Sequence, residues 1–179
     1  MKFAATCSLI VGAIVLASPA AASDHGWSTA SGIGRDVLVA AALGVPAAQG
    51  DWRGDLQAGG SILLAEGAAY GLKRAFPEQR PDHSDNKSFP SGHAALSFAA
   101  AATLENRYGW KVGIPAFMVA SFVGASRVEA RKHHWYDVAA GAAIGTGSGF
   151  LLTTKRTDGV RLVPWADSGG GGLSLAMRF

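Results

Sequence analysis

The chain has 179 residues, of which 49% are hydrophobic and 16% charged, and its formal net charge is +3. That length suits one domain with its own hydrophobic core, while the weak charge and the lack of a lysine or arginine run give no support for nucleic-acid binding. The single cysteine, Cys7, lies near the start, so we expect neither disulfides nor thiol catalysis in the exported chain.

The pattern of residues 1–22 indicates a secretory signal. Lys2 provides the positive start, Leu9 to Leu16 an apolar stretch, and Ala20 to Ala22 a small-residue cleavage site. Export would place residues 23–179, as one domain, in a bacterial-type periplasm. The alternative is that this segment is retained as a membrane anchor.

Helices are predicted along most of the exported chain. Residues 23–34 are rich in serine and glycine and predict a mobile lead-in. The apolar stretch Val37 to Ala48 is compatible with a helix, residues 51–55 predict a connecting turn, and Leu56 to Arg74 has a helical pattern ended by Pro77.

The second half of the chain continues this helical pattern. A polar loop, residues 78–87, precedes a helix that starts at Gly92 and ends near Asn106 to Gly109. Further helices are predicted over Trp110 to Ala125 and Trp135 to Leu152. Two strand-like stretches around a glycine-rich turn predict a β-hairpin within residues 159–179.

Glycines recur every four residues in two of these helices. Gly67 and Gly71 lie in the second, and Gly141, Gly145 and Gly149 in the last. Because glycines at this spacing share one face, each set predicts a close approach of another helix.

The sequence leaves the relation to a membrane open. The charge-free windows are residues 94–104, 112–126 and 138–154, and only the last reaches the lower limit of about 17 residues for a bilayer span. A soluble helical core is therefore favoured over an integral or membrane-adhering protein. Trp110 and Trp135 stand at predicted helix starts, where interfacial anchoring competes with ordinary packing.

The stretch from Ser88 to His93 contains the strongest local signal. Pro90 blocks a helix from upstream, and Ser91 is a good N-cap for the apolar helix that follows. Gly92 leaves the backbone bare where a helix N-terminus favours an anion, and His93 adds a titratable imidazole beside it. An ordinary turn with a surface histidine is the alternative.

Three separate cations and a histidine–carboxylate pair flank this stretch. Lys73 and Arg80 precede it, Arg127 follows it, and His133 with Asp137 has the i, i+4 spacing of one helix face. Each has a plain explanation by itself, as a helix-end charge, an ion pair or a helix-face pair. Together they suit phosphoryl transfer, in which a protein mainly positions and stabilises negative oxygens.

These residues fall into three ordered motifs. K-x6-RP runs from Lys73 to Pro81, PSGH from Pro90 to His93, and SR-x5-H-x3-D from Ser126 to Asp137. The set resembles the signature of the type 2 phosphatidic acid phosphatase superfamily, which includes class A acid phosphatases and vanadium haloperoxidases. The resemblance covers residues 73–137 and implies an all-α, compact helical bundle, to which the terminal hairpin would be an addition.

The resemblance also implies a role for each site residue. His133 would attack phosphorus and become phosphohistidine, with Asp137 orienting it, and His93 would protonate the leaving oxygen. The neighbouring His134 would be a bystander, and no metal or other cofactor is implied. The residues expected to hold the phosphoryl oxygens are Lys73, Arg80, Ser91, Gly92 and Arg127.

The leading hypothesis is an exported, metal-independent phosphatase acting on phosphomonoesters, with a lipid phosphate or diphosphate and a soluble ester as rival substrates. Its partner would be a phosphorylated small molecule or a lipid headgroup, with a membrane surface as a further candidate, and the oligomeric state is not predicted. A vanadate-dependent haloperoxidase and a non-catalytic anion-binding module are the alternatives from other classes.

Overall fold

A computed structural model describes residues 23–156, 160–167 and 170–177, so the predicted signal segment, residues 1–22, lies outside the described residues. Within these ranges the bundle is helical, which confirms the predicted all-α class. The elements are α1 (Asp24–Ala48), α2 (Trp52–Ala75), α3 (Gly92–Tyr108), α4 (Trp110–Glu129), α5 (Trp135–Leu152), β1 (Val160–Asp167) and β2 (Gly170–Met177).

Helix α1 begins earlier than predicted, and the expected mobile lead-in at residues 23–34 is wrong. Ser23 is the N-cap and accepts a hydrogen bond from the Gly26 N–H at 3.1 Å. The small residues of this stretch make a packing surface, since a Cβ on Gly34 would lie 2.8 Å from Val123 of α4. The serines and glycines of this stretch are therefore small residues that allow α1 to pack closely against another helix.

The connection between α1 and α2 is also shorter than the predicted turn over residues 51–55. Asp51 is the N-cap of α2, and its carboxylate accepts the Gly54 N–H at 3.0 Å. The same side chain pairs with Arg107 of α3, which is buried. This ion pair connects the start of α2 to the end of α3.

Helix α3 is the centre of the bundle and packs against all four other helices. Its buried face consists mainly of alanines, which bring neighbouring backbones close. A Cβ on Gly145 of α5 would lie 2.1 Å from the Ala95 carbonyl oxygen, and one on Gly141 would lie 2.4 Å from that of Ser91. The predicted glycine contact of the last helix is therefore confirmed. The buried alanines of α3 are Ala94, Ala95 and Ala99 to Ala102.

The second glycine prediction is wrong. A Cβ on Gly67 or Gly71 of α2 would meet no atom of another described residue within 4 Å, apart from the helix itself and chain neighbours. Both glycines are exposed. Their four-residue spacing thus lies on the outer face of α2.

The bundle leaves many large apolar side chains on its surface. Exposed examples are Leu63 on α2, Met118 on α4 and Leu151 on α5. Among the described helices, α1 and α4 are long and apolar enough to cross a membrane by length and composition. The charge-free windows of the sequence had instead singled out residues 138–154, most of which lie in α5, and neither α1 nor α4.

The last described segments are the two strands, which pair antiparallel with Val160 opposite Met177 and Asp167 opposite Gly170. The predicted hairpin span, residues 159–179, includes positions 159, 168–169 and 178–179, which lie outside the described residues.

Candidate active site

The carboxylate of Asp137 lies at the centre of the candidate site. Its Oδ2 atom lies 3.5 Å from Nδ1 of His133 and accepts hydrogen bonds from the Ser88 hydroxyl at 2.5 Å and the His134 N–H at 2.8 Å. Both Asp137 and His133 are buried. His133 precedes α5, so the pair is formed across the start of the helix, whereas the spacing had predicted a helix face.

His133 is held uncharged. Burial, followed by the positive charges of Arg80, Lys73 and Arg127, lowers its pKa to about 3, although Asp137 acts in the opposite direction. A neutral imidazole keeps a nitrogen lone pair. A buried, neutral imidazole thus lies under the influence of three cations that come from three different segments.

Two of these cations are fixed by the loop between α2 and α3. The Lys73 ammonium donates to the carbonyl oxygens of Lys87, at 2.9 Å, and Pro90. The Arg80 guanidinium donates to Asp85 at 2.6 Å. The loop therefore holds both side chains next to the start of α3.

Arg127 is buried at the end of α4, and its partners come from α1. Its guanidinium donates to the Ser28 hydroxyl at 3.1 Å and to the Ser31 hydroxyl at 3.2 Å. A third residue of α1, Arg35, lies 3.1 Å from Nε2 of His93. All three were missed from the sequence because they fall at or beside the stretch taken as mobile. The signal was the spacing of three and four residues, which aligns them on one helix face.

The start of α3 is bound directly to the start of α5. The Ser91 N–H donates to the Asp137 carbonyl at 2.9 Å, and the Ser91 hydroxyl accepts the Ala94 N–H at 3.4 Å as an N-cap. Gly92 is the first residue of α3. The eight predicted site residues thus gather at one end of the bundle, where α2 and α4 end and α3 and α5 begin.

His134, which the sequence predicted to be a bystander, contacts residues of the candidate site, and its bystander role stays a prediction. Its Nδ1 atom lies 3.4 Å from Oδ2 of Asp137 and 3.5 Å from Oε1 of Glu78, and its ring stacks on Tyr136. It precedes α5, so the side-chain angles of a helix do not apply to it.

Glu78, His134 and Asp137 each offer an atom that a metal ion can use, and these atoms lie within 4.8 Å of one another. The Oδ2 atom of Asp137 already accepts hydrogen bonds from the Ser88 hydroxyl and the His134 N–H, whereas its buried Oδ1 atom has no hydrogen-bond partner among the described residues. The expectation of a reaction without metal stays a prediction.

The bundle is all-α, and a buried histidine and several cations, groups suited to contact an anion, lie at its helix ends. The chain belongs to the PAP2 superfamily, whose sequence pattern it matches over residues 70–160. That region begins in α2 and includes all eight predicted site residues, but it does not include α1.

Curated relatives carry names of lipid phosphatases. The chain is 34% identical over 122 residues to the lipid A 4'-phosphatase of Helicobacter pylori, an alignment covering 62% of each protein. It is 32% identical over 105 residues to the lipid A 1-phosphatase of Porphyromonas gingivalis, covering 52% of this chain and 24% of that protein. The chain therefore spans under two thirds of the length of these relatives.

Two solved structures share the fold. Aquifex aeolicus LpxE aligns with a TM-score of 0.64 and 22% identity over 76% of this chain and 87% of the other. The transmembrane PAP2 type phosphatidylglycerolphosphate phosphatase of Bacillus subtilis aligns with a TM-score of 0.54 and 23% identity, covering 78% of each chain.

Proposed function

We propose that this protein is a phosphatase that hydrolyses phosphomonoesters through a phosphohistidine at His133. The observation that carries the proposal is the neutral, buried His133 imidazole between Asp137 and three cations. Because Nδ1 faces the carboxylate, Nε2 is the atom that attacks. Its bond to phosphorus forms as the ester P–O bond breaks, and the bond pair leaves with the ester oxygen.

The remaining site residues have distinct roles in this proposal. His93 gives a proton to the leaving oxygen, and Asp137 holds the His133 tautomer. Water then attacks the phosphohistidine, releasing phosphate and restoring the imidazole. The residues that stabilise the phosphoryl oxygens are Lys73, Arg80, Arg127, Ser91 and the N–H of Gly92.

A phosphorylated lipid is the substrate class that we propose. The names of the Helicobacter and Porphyromonas relatives refer to phosphate groups on lipid A. The exposed apolar faces of this chain are a second argument for a lipid substrate, because soluble monomers rarely expose large apolar patches. A lipid tail beside such a face would leave the phosphate at the helix ends.

We further propose that the protein is membrane-associated with its site at one surface of the bilayer. Exposed tryptophans mark both ends of the bundle: Trp135 (72% exposed) is at the site end, and Trp52 (51%) and Trp110 (64%) begin the helices that end at the site. Helix α4, with 20 residues, is about 30 Å long, which matches the hydrocarbon thickness of a bilayer. Tryptophan is enriched at both membrane interfaces.

The test is phosphate release by the full-length protein in detergent, measured on a short-chain lipid phosphate with excess chelator. The wild type should release phosphate, and His133→Ala should not. Loss of wild-type activity in chelator, with recovery on a divalent ion, would overturn the metal-independent mechanism. Recovery of the expressed protein in the osmotic-shock fluid, and not in membranes, would overturn the membrane association.

A further inference from the structure

Arg35 of α1 contacts the histidine that we assign to the leaving group. Its Nη1 atom lies 3.1 Å from Nε2 of His93, although 58 positions separate the two residues. The guanidinium also pairs with Asp36 at 2.7 Å, and the Arg35 side chain is 28% exposed. Arg35 lies outside residues 70–160, the part that matches the superfamily.

The chemistry of the two side chains restricts this contact. A guanidinium carries only hydrogen-bond donors, so Nε2 of His93 must act as the acceptor. The imidazole in this arrangement is therefore neutral. Before His93 can give a proton to a leaving oxygen it must carry protons on both nitrogens, and its contact with Arg35 must then be broken.

The charges around the two histidines place Arg35 on the leaving-group side. The cations that act on His133 are Arg80, Lys73 and Arg127. Arg35 is absent from that set, whereas it acts on His93 together with Arg127 and Arg80, and Asp36 opposes them. Lys73, Arg80 and Arg127 are already assigned to the transferred phosphoryl group. Arg35 is therefore available for the group to which the phosphoryl group is attached.

We propose that Arg35 is a specificity residue that binds a second anionic group on the leaving-group side of the substrate, and that this anion replaces His93 as its partner. The proposal rests on the function proposed above. Among the lipid phosphate and diphosphate candidates, Arg35 favours those with a further negative charge next to the bond that breaks, of which an alkyl diphosphate is the simplest.

The reaction of such a substrate balances without a further reactant. Nε2 of His133 forms a bond to the terminal phosphorus, the P–O bond to the bridging oxygen breaks, and its electron pair stays on that oxygen. The alkyl phosphate leaves as an anion, whose charge Arg35 neutralises. Departure then depends less on a proton from His93 than it does for an alkoxide.

The experiment compares binding of two non-hydrolysable probes, methylenediphosphonate and methylphosphonate, to the full-length protein by calorimetry. We expect Arg35→Gln to weaken the binding of methylenediphosphonate about 10- to 150-fold, the usual range for a charge-assisted hydrogen bond. The binding of methylphosphonate should weaken by less than about 3-fold. Arg53→Gln is the matched control, since Arg53 is exposed and lies at the far end of α2.

The same variants are then assayed on an alkyl diphosphate and the alkyl monophosphate of equal chain length. Arg35→Gln should reduce kcat/KM mainly for the diphosphate, and Arg35→Lys should restore part of it. An equal loss on both probes and both substrates would overturn the proposal by making Arg35 a positioning residue for His93, and no loss on either would overturn it too. A wild type that binds both probes but hydrolyses neither substrate would instead overturn the proposed function.

Discussion

Gly145 of α5 lies directly against Ala95 of α3, so that a Cβ on the glycine would come within 2.1 Å of the alanine carbonyl oxygen. This backbone contact aligns the two helices whose first turns contain Ser91 and Asp137. The geometry of the site therefore depends on a residue that has no side chain and lies two turns away from it.

We expect Gly145→Ala to lower the melting temperature, because the added methyl group pushes against α3 backbone that cannot move alone. The destabilisation should be about 1–3 kcal/mol, typical of overpacking. Gly147→Ala is the control on the same helix, since a Cβ there meets no described atom within 4 Å apart from its chain neighbours and the backbone of its own helix. Alanine should stabilise a helix at that open position by up to about 1 kcal/mol. Equal melting temperatures for the two variants would contradict backbone-to-backbone packing.

The hydroxyl of Ser88 is expected to matter through Asp137. Asp137→Asn keeps the size of the side chain but removes the charge that holds His133, so kcat should fall by about 10²–10⁴-fold. Ser88→Ala removes one hydrogen bond to that carboxylate and should lower kcat about 10- to 150-fold. Ser97→Ala is the control, because Ser97 is buried and its hydroxyl has no hydrogen-bond partner among the described residues. A Ser97 effect as large as that of Ser88 would show that the losses come from general disruption of the core.

The two histidines of the site should differ in how they respond to the leaving group. His133→Ala should abolish turnover of every phosphoester, since no phosphohistidine can form. His93→Ala should slow an alkyl phosphate by about 10²–10⁴-fold, because its alkoxide needs a proton, and an activated aryl phosphate much less. Stopped-flow measurement of phenolate release should show a burst in His93→Ala. The assigned roles are wrong if His93→Ala is equally inactive on both substrates while His133→Ala keeps a burst.

Acid should destabilise the fold through His133. Its pKa in the folded protein is about 3, well below the value of about 6.5 expected when the chain is unfolded. Between these values the unfolded chain binds more protons, so stability falls as the pH decreases. We expect acidification from pH 7.5 to pH 4.5 to cost the wild type about 2–3 kcal/mol more than His133→Gln, which lacks this titration. Parallel declines of the two melting temperatures would contradict an uncharged, buried His133.

The sequence by itself determined the parts of the site that depend on local signals. Pro90 and Ser91 set the start of α3, because a helix start follows from the capping and blocking residues next to it. The start of α5 at Trp135 was also predicted correctly. The eight candidate site residues were selected from local signals too, and their roles stay a prediction. They belong to compact motifs whose spacing is visible without knowledge of the fold.

Only the tertiary structure decided what covers each helix face. Spacing of four put Gly67 and Gly71 on one face just as it did Gly141 and Gly145, but a neighbouring helix covers only the second pair. Sequence periodicity gives the direction of a face along its own helix and carries no information on which helix lies opposite.

The same limit hid the contribution of α1. Ser28, Ser31 and Arg35 look like solvent-exposed polar residues in a flexible segment, and their partners Arg127 and His93 are 58 or more positions further along the chain. A small or polar side chain has the same appearance in a sequence whether it faces water or a buried cation. Folding α1 against α3 and α4 is what turns these residues into part of the site.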